Sequence, residues 1–258
     1  ATSCSSENSI VILDSVYKKF MESLQKEGGT LLTNSEKEIL ASHMWDEKGV
    51  INRNIIAKKA TEIASLSGLD DQKFSNSAFL MVMEESIGRQ HLFSMEKLSP
   101  VLAVYRASDF DHALELANNI LENQGKGHSC SIHSQNKDNI LRLGFELPVC
   151  RVIVNQAHCF ATGGNFDNAL PFSLSMGCGT WGNNLTDENL NYKHYLNITK
   201  VVETIKSIEP SEDEIFSSYW AKYSLTPLTI TELIDQHAKN TPDKTFLIDA
   251  DLDLNVSY

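Results

Sequence analysis

Short apolar runs separated by longer amphipathic stretches predict strands interleaved with helices. Phe79–Met83 and Val101–Tyr105 are apolar without alternation, which is typical of strands covered on both faces. Further strands are predicted at Ser9–Leu13, Ser129–His133, Arg151–Asn155 and Leu196–Val202. Apolar residues at helical spacing predict helices from Asp14 to Gly28, Asn34–Trp45, Asn54–Leu66 and Asp109–Glu122, with Asn34, Asn54 and Asp109 as caps. The predicted class is α/β, with a mostly parallel sheet flanked by helices.

The pattern changes near Thr204. We expect one domain over residues 1–205, a linker over 206–227 that includes the acidic run Glu209–Glu214, and a second domain starting within 228–258. In that last part, Thr229–Lys239 has helical spacing, Thr241–Lys244 is turn-like, and Thr245–Ile248 is typical of a strand.

Charge and composition exclude several classes. The 258 residues are 41% hydrophobic and carry a net charge of −12, a field that repels nucleic-acid phosphates. No apolar run reaches the roughly 20 residues that a bilayer span needs. Five irregularly spaced cysteines do not form a disulfide framework and favour a reducing cytoplasm. The first residues lack an initiator Met and a signal pattern, so we expect the natural N-terminus to lie upstream.

Cys4 is the first candidate for chemistry. It lies in the small polar segment Thr2–Asn8, just before a predicted strand, where a thiol is reachable and surrounded by backbone donors. A single cysteine is more often a small buried hydrophobe, but apolar burial would keep its thiol neutral and inert. The polar neighbours favour a nucleophile.

His128 is the second candidate. Together with Cys130 and His133 it suggests a zinc site, but residues 128 and 130 of a strand share one face while residue 133 points to the other. We therefore predict no metal site. An imidazole after the flexible Gly125–Gly127 segment is instead suited to accepting a proton near neutral pH.

The segment Gly177–Gly182, which we call the glycine loop, matches the G-x-G-x-x-G pattern of dinucleotide-binding folds. That fingerprint requires a preceding strand and a helix that opens on it, whereas Pro171 precedes this segment and Asn183 follows it. We predict an active-site loop whose glycines allow close backbone approach to a ligand.

Four motifs in register carry a family resemblance. They are Cys4–Ser9, Glu96–Leu102, Gly127–Ser129 and Gly177–Asn184, with Arg151–Asn155 between the last two. In order and spacing they resemble the CoA-acylating aldehyde dehydrogenases over Ala1 to about Ile205. Residues 165–168 and 171–176 look most like the sulfoacetaldehyde dehydrogenase branch.

The resemblance implies a catalytic Cys4 that forms a thioester, and His128 as the base that activates Cys4 or CoA. It implies that Glu96 holds the nicotinamide ribose of NAD or NADP, with Pro100 in the same cofactor-binding motif, and that CoA is a co-substrate for an aldehyde or acyl-CoA. The dinucleotide-binding half of the family precedes the nucleophile, so we expect it to be absent here and the fragment alone to be inactive.

Two partners are also implied by resemblance. Residues 228–258 are similar to the opening of an adenylate-forming acyl-CoA ligase, which implies a covalently fused ligase domain. The family further implies a homo-oligomer, with the predicted Leu196–Val202 strand in the oligomerisation region. Two alternatives remain open: a non-acylating aldehyde dehydrogenase, and a non-catalytic scaffold or oligomerisation module in which Cys4 is a bystander.

Overall fold

A computed structural model describes residues 3–214, 229–242, 245–249 and 254–257, and the chain divides into two compact units, 1–197 and 198–258. The helices are α1 (Tyr17–Lys26), α2 (Asn34–Met44), α3 (Ala60–Leu66), α4 (Asp71–Phe74), α5 (Phe110–Asn123), α6 (Lys137–Glu146), α7 (His158–Ala161) and α8 (Ile230–Asn240). The strands are β1 (Ser9–Leu13), β2 (Gly29–Leu31), β3 (Phe79–Met83), β4 (Val101–Ala107), β5 (Cys130–Ile132), β6 (Val152–Val154), β7 (Thr245–Asp249) and β8 (Leu254–Ser257).

The main sheet is parallel, with four strands in the order β1-β4-β3-β2. Ser9 lies opposite Ala103, and Leu80 lies opposite Val101. The central strands β3 and β4 are buried on both faces, which is why their sequences are apolar without alternation. The predicted α/β class with a parallel sheet is confirmed.

One predicted helix cap and one predicted helix start are wrong. The cap of α2 is Thr33 rather than Asn34, and the Thr33 hydroxyl accepts from the Glu36 N–H at 3.3 Å. The expected helix from Asn54 begins only at Ala60, because Ala57 has a φ of 64° and the preceding residues form turns. Asp109 does cap α5, where its carboxylate accepts from the His112 N–H at 2.9 Å.

A smaller parallel sheet pairs β5 with β6, and a bridge between Gly127 and Val149 extends it. Helices α5 and α6 cover it through a separate apolar cluster formed by Leu114, Leu121, Leu143, Leu147 and Val149. The sequence pattern did not indicate α6 or the short β2. This second sheet places His128, immediately before β5, near the start of the chain.

The predicted strand at Leu196–Val202 is wrong. These residues have no regular secondary structure, and Leu196, Ile198, Val201 and Val202 are exposed. A strand needs a hydrogen-bonded neighbour, and the described part of the chain offers this segment none.

The second unit contains α8 and the antiparallel pair β7-β8. The helix predicted at Thr229–Lys239 and the strand predicted at Thr245–Ile248 are both present. Part of the turn predicted at Thr241–Lys244 lies outside the described residues. None of the described helices is both long and apolar enough to cross a bilayer.

Candidate active site

Cys4 lies in a tight turn that leads into β1. The Ser6 N–H donates to the Ser3 carbonyl at 3.0 Å, and buried Ser5 anchors the turn. Helix α7 holds this anchor from the other side, because His158 Nδ1 donates to the Ser5 carbonyl at 3.0 Å. The turn therefore leaves the Cys4 thiol exposed on a fixed backbone.

His128 meets this thiol. Its Nε2 lies 3.2 Å from Cys4 Sγ, and its Nδ1 lies 2.6 Å from the Ser129 hydroxyl oxygen. Burial lowers the pKa of His128, and the positive charge of Arg151 and the neighbouring His158 lower it further. A neutral imidazole that donates from Nδ1 to Ser129 presents its Nε2 lone pair to the thiol. The arrangement can accept a proton from Cys4.

The glycine loop packs directly on the His128 segment. Gly127 has a φ of 88°, and a Cβ on it would collide with the Cys178 carbonyl oxygen and lie 2.9 Å from the Gly182 nitrogen. The loop bends through a 3₁₀ turn at Thr180–Gly182, and the Gly179 N–H donates to the Thr186 carbonyl at 3.0 Å. It is thus not the strand-to-helix turn of a dinucleotide fingerprint.

Arg151 joins these two segments and was not predicted as a site residue. Its Nη1 donates to the His128 carbonyl at 3.2 Å and to the Gly177 carbonyl at 2.9 Å. Its Nε donates to Asn189 Oδ1 at 2.7 Å, and its Nη2 donates to the Asp187 carbonyl at 3.2 Å. The sequence feature that could have indicated it is a charged residue, Arg151, directly before the apolar run Val152–Val154.

Glu96 and Pro100 lie on the segment that precedes β4. Asn8 ties this segment to the Cys4 turn, since its side chain donates to the Met95 carbonyl at 3.0 Å and accepts from the Lys97 N–H at 3.2 Å. No contact between described residues joins Glu96 or Pro100 to the Cys4–His128 pair. Pro100 is half-buried at the start of β4.

The Glu96 carboxylate fits a group that presents hydroxyls. It is exposed and accepts no hydrogen bond from the described residues, while the backbone N–H of Glu96 donates to Gln124 Oε1 at 2.8 Å and fixes the segment. An ionised carboxylate held in this way has free acceptor sites for two ribose hydroxyls.

The remaining cysteines differ from Cys4. Burial raises the pKa of the Cys130 thiol to about 12, and it also raises the pKa values of Cys150, Cys159 and Cys178. Each of these four is partly shielded from solvent, whereas Cys4 is exposed. Among the residues that the structure describes, no group of three or more His, Cys, Asp or Glu side chains is arranged to hold a metal ion.

Comparison with known proteins decides the family. A model of the aldehyde dehydrogenase family matches residues 2–172, well over half of the chain. The chain belongs to the aldehyde dehydrogenase family. This aldehyde dehydrogenase chain is 50% identical over 222 residues to an acylating sulfoacetaldehyde dehydrogenase of Cupriavidus necator, a match that covers 86% of the chain and 45% of the relative.

Two further matches agree. This aldehyde dehydrogenase chain is 39% identical to a sulfoacetaldehyde dehydrogenase of Acholeplasma sp, over 85% of the chain and 46% of that protein. It superposes on the crystal structure of an acetylating aldehyde dehydrogenase from Geobacillus thermoglucosidasius with a TM-score of 0.74 and 32% identity, covering 81% of the chain and 46% of that structure. The chain spans less than half the length of these relatives.

Proposed function

We propose that this chain is the catalytic half of a CoA-acylating aldehyde dehydrogenase in which Cys4 carries the acyl group as a thioester. The observation that carries the proposal is the 3.2 Å separation between Cys4 Sγ and His128 Nε2. An exposed thiol beside a neutral imidazole is the pairing that nucleophilic catalysis needs. The relatives named as acylating dehydrogenases support CoA as the acyl acceptor.

In the forward direction, His128 Nε2 accepts the thiol proton while Cys4 Sγ bonds to the aldehyde carbon. A bound nicotinamide would supply the two-electron acceptor that converts this adduct into a thioester. His128 then releases the first proton to solvent and is neutral again. The CoA thiol attacks the thioester while its proton passes to His128, and the leaving Cys4 thiolate takes that proton back. Because a thiol resolves the thioester, no activated water is required.

Glu96 is proposed to hold the nicotinamide ribose of NAD or NADP through its free carboxylate oxygens, and Pro100 is proposed to lie against the same cofactor. The tie through Asn8 supports this, because it fixes the Glu96 segment relative to the Cys4 turn. The proposed substrate pair is sulfoacetaldehyde and sulfoacetyl-CoA, which rests on the names of the relatives.

The acyl-transfer half-reaction tests the proposal without a nicotinamide. Incubating the chain with sulfoacetyl-CoA should release free CoA and add one acyl group to the Cys4 peptide, as measured by mass spectrometry. Cys4→Ser should form no such adduct, and Cys178→Ser should retain it. An adduct spread over several cysteines, or none at Cys4, would refute the assignment. Parallel reactions with acetyl-CoA show whether the sulfonate is preferred.

Three wider expectations belong to the same proposal. Free thiols at all five cysteines support a cytoplasmic location. Exposed apolar side chains, including Phe166 and Leu174, support a homo-oligomer. The helix and strand at Ile230–Asn240 and Thr245–Asp249 support a fused ligase domain that begins near residue 228.

A further inference from the structure

Arg151 is a buried cation that has no counter-ion among the described residues. Its residue is 5% exposed, and all of its hydrogen-bond acceptors are uncharged oxygens. No ion pair in the described part of the chain includes it. Burying an unpaired charge is costly, and a neutral side chain would fill the same space at lower cost. We therefore look for a role at this position that uses the charge.

The guanidinium links three segments of the site. Its fork holds the His128 carbonyl and the Gly177 carbonyl together, and its Nε holds Asn189. Asn189 is itself buried and donates to the Thr162 carbonyl at 2.9 Å and to the Pro171 carbonyl at 3.0 Å. One side chain thus fixes the His128 backbone against the glycine loop.

The same guanidinium places a positive charge beside the imidazole. A nearby cation disfavours a second positive charge, so it favours the neutral form of the histidine. Among the described residues, no carboxylate hydrogen-bonds to the imidazole and offsets this charge. Four other titratable groups lie around the site. They are Cys4 from the turn before β1, His158 from α7, Cys178 from the glycine loop, and Glu7, which faces His158.

We propose that Arg151 is a positioning residue that clamps the His128 segment to the glycine loop and keeps the imidazole neutral, so that Nε2 accepts the Cys4 proton. This inference rests on the proposed function of the Cys4–His128 pair. The hydrogen bonds of Arg151 hold the two segments together, and its charge keeps His128 neutral. Substitutions at Arg151 can separate these two effects.

The test uses the full 258-residue chain and the rate of Cys4 alkylation by iodoacetamide between pH 5 and 9. Arg151→Met removes the charge and the bonds, and it should move the midpoint of the pH profile upward and slow alkylation at pH 6 about threefold. Arg151→Lys keeps a charge but not the fork. It should leave the midpoint near that of the wild type while hydrogen exchange in the glycine loop accelerates.

One control and one substitute variant complete the design. Arg142→Met removes an exposed arginine paired with Glu146 and Asp111, and it should change neither the midpoint nor the loop exchange. Should Arg151→Met fail to fold, Arg151→Gln replaces it, because its amide removes the charge but keeps a donor for the surrounding carbonyls, and it should also move the midpoint upward.

The outcomes separate the inference from the function. If His128→Ala shifts the pH profile while the folded variants that remove the Arg151 charge leave it unchanged, that result overturns only the role of Arg151. A profile that His128→Ala also leaves unchanged removes His128 from the activation of Cys4 and overturns the proposed function. Equal midpoint shifts in Arg151→Met and Arg151→Lys would mean that only the hydrogen bonds of Arg151 matter. That result would contradict the proposed role of its charge.

Discussion

Cys4 Sγ and His128 Nε2 are 3.2 Å apart although 124 residues separate them in the chain. The contact exists because the turn before β1 and the segment before β5 approach each other from different sheets. Five predictions concern this contact, the cofactor-binding motif, the buried groups of the first unit and the exposed segment of residues 201–214.

The first concerns selectivity among thiols. At pH 7, iodoacetamide should modify Cys4 at least about tenfold faster than any other cysteine, because the thiolate is the reactive form and burial raises the pKa of the other four. Peptide mass spectrometry after a short exposure measures each site. Cys130 should be the slowest of the five, and comparable labelling of Cys4 and Cys130 would contradict the assignment.

The second concerns Glu96. Glu96→Gln weakens the acceptor for the ribose hydroxyls, so aldehyde oxidation with NAD and CoA should slow by roughly tenfold or more in a protein that carries this chain and binds the dinucleotide. Acyl transfer from acyl-CoA to Cys4 should stay near the wild-type rate. Glu188→Gln, another exposed carboxylate, is the control. Equal losses in both half-reactions would argue against a cofactor role.

The third concerns Gly127. Gly127→Ala places a Cβ against the Cys178 carbonyl at a φ of 88°, so it should destabilise the chain by about 1–3 kcal/mol and slow Cys4 alkylation. Gly144→Ala in α6 is matched to it, because a Cβ there meets no heavy atom within 4 Å. That variant should be neutral or slightly stabilising. Thermal unfolding distinguishes the two, and equal effects would mean that the loop does not pack as described.

The fourth concerns Lys97, which is 0% exposed and donates to the Phe93 carbonyl at 2.7 Å and the Met95 carbonyl at 2.9 Å. Burial lowers the pKa of Lys97 from 10.5 to about 7, although the negative charges of Glu84 and Glu96 act to raise it. Between those values the unfolded chain binds more protons than the folded chain, so the contribution of this group to the unfolding free energy rises with pH.

The measurable consequence is a comparison of wild type with Lys97→Met. From pH 7 to pH 9 the difference in unfolding free energy should move in favour of the wild type by on the order of 1–2 kcal/mol. Lys58→Met, at an exposed lysine, provides the control. Parallel stability curves for wild type and Lys97→Met over this range would show that the amine stays charged in the fold.

The fifth concerns the exposed segment of residues 201–214, at the start of the second unit. Residues 201–214 are all exposed, and the acidic run Glu209–Glu214 offers several cleavage sites for a glutamate-specific protease. Limited proteolysis should cut there first, after Glu212 or Glu214, and later trimming after Glu203 should leave a resistant fragment that ends near residue 205. Cleavage that begins within residues 29–107 would contradict this boundary.

The sequence by itself determined the elements whose pattern is local. The apolar runs at β3 and β4 follow from burial on both faces, and the Asp109 cap of α5 follows from side-chain capping. Both signals lie in residues that are adjacent in the chain. The motif around Cys4 and the segment before β5 likewise identified the thiol and the imidazole as candidates before their contact was known.

Tertiary structure decided what depends on distant partners. Leu196–Val202 has strand-like composition but no neighbouring strand, and composition alone cannot supply a hydrogen-bond partner. The sequence around Arg151 could not show which groups the guanidinium binds, because those carbonyls belong to the distant residues 128, 177 and 187. The 3.2 Å contact of Cys4 with His128 has the same origin, since it requires both sheets to fold before the two side chains can meet.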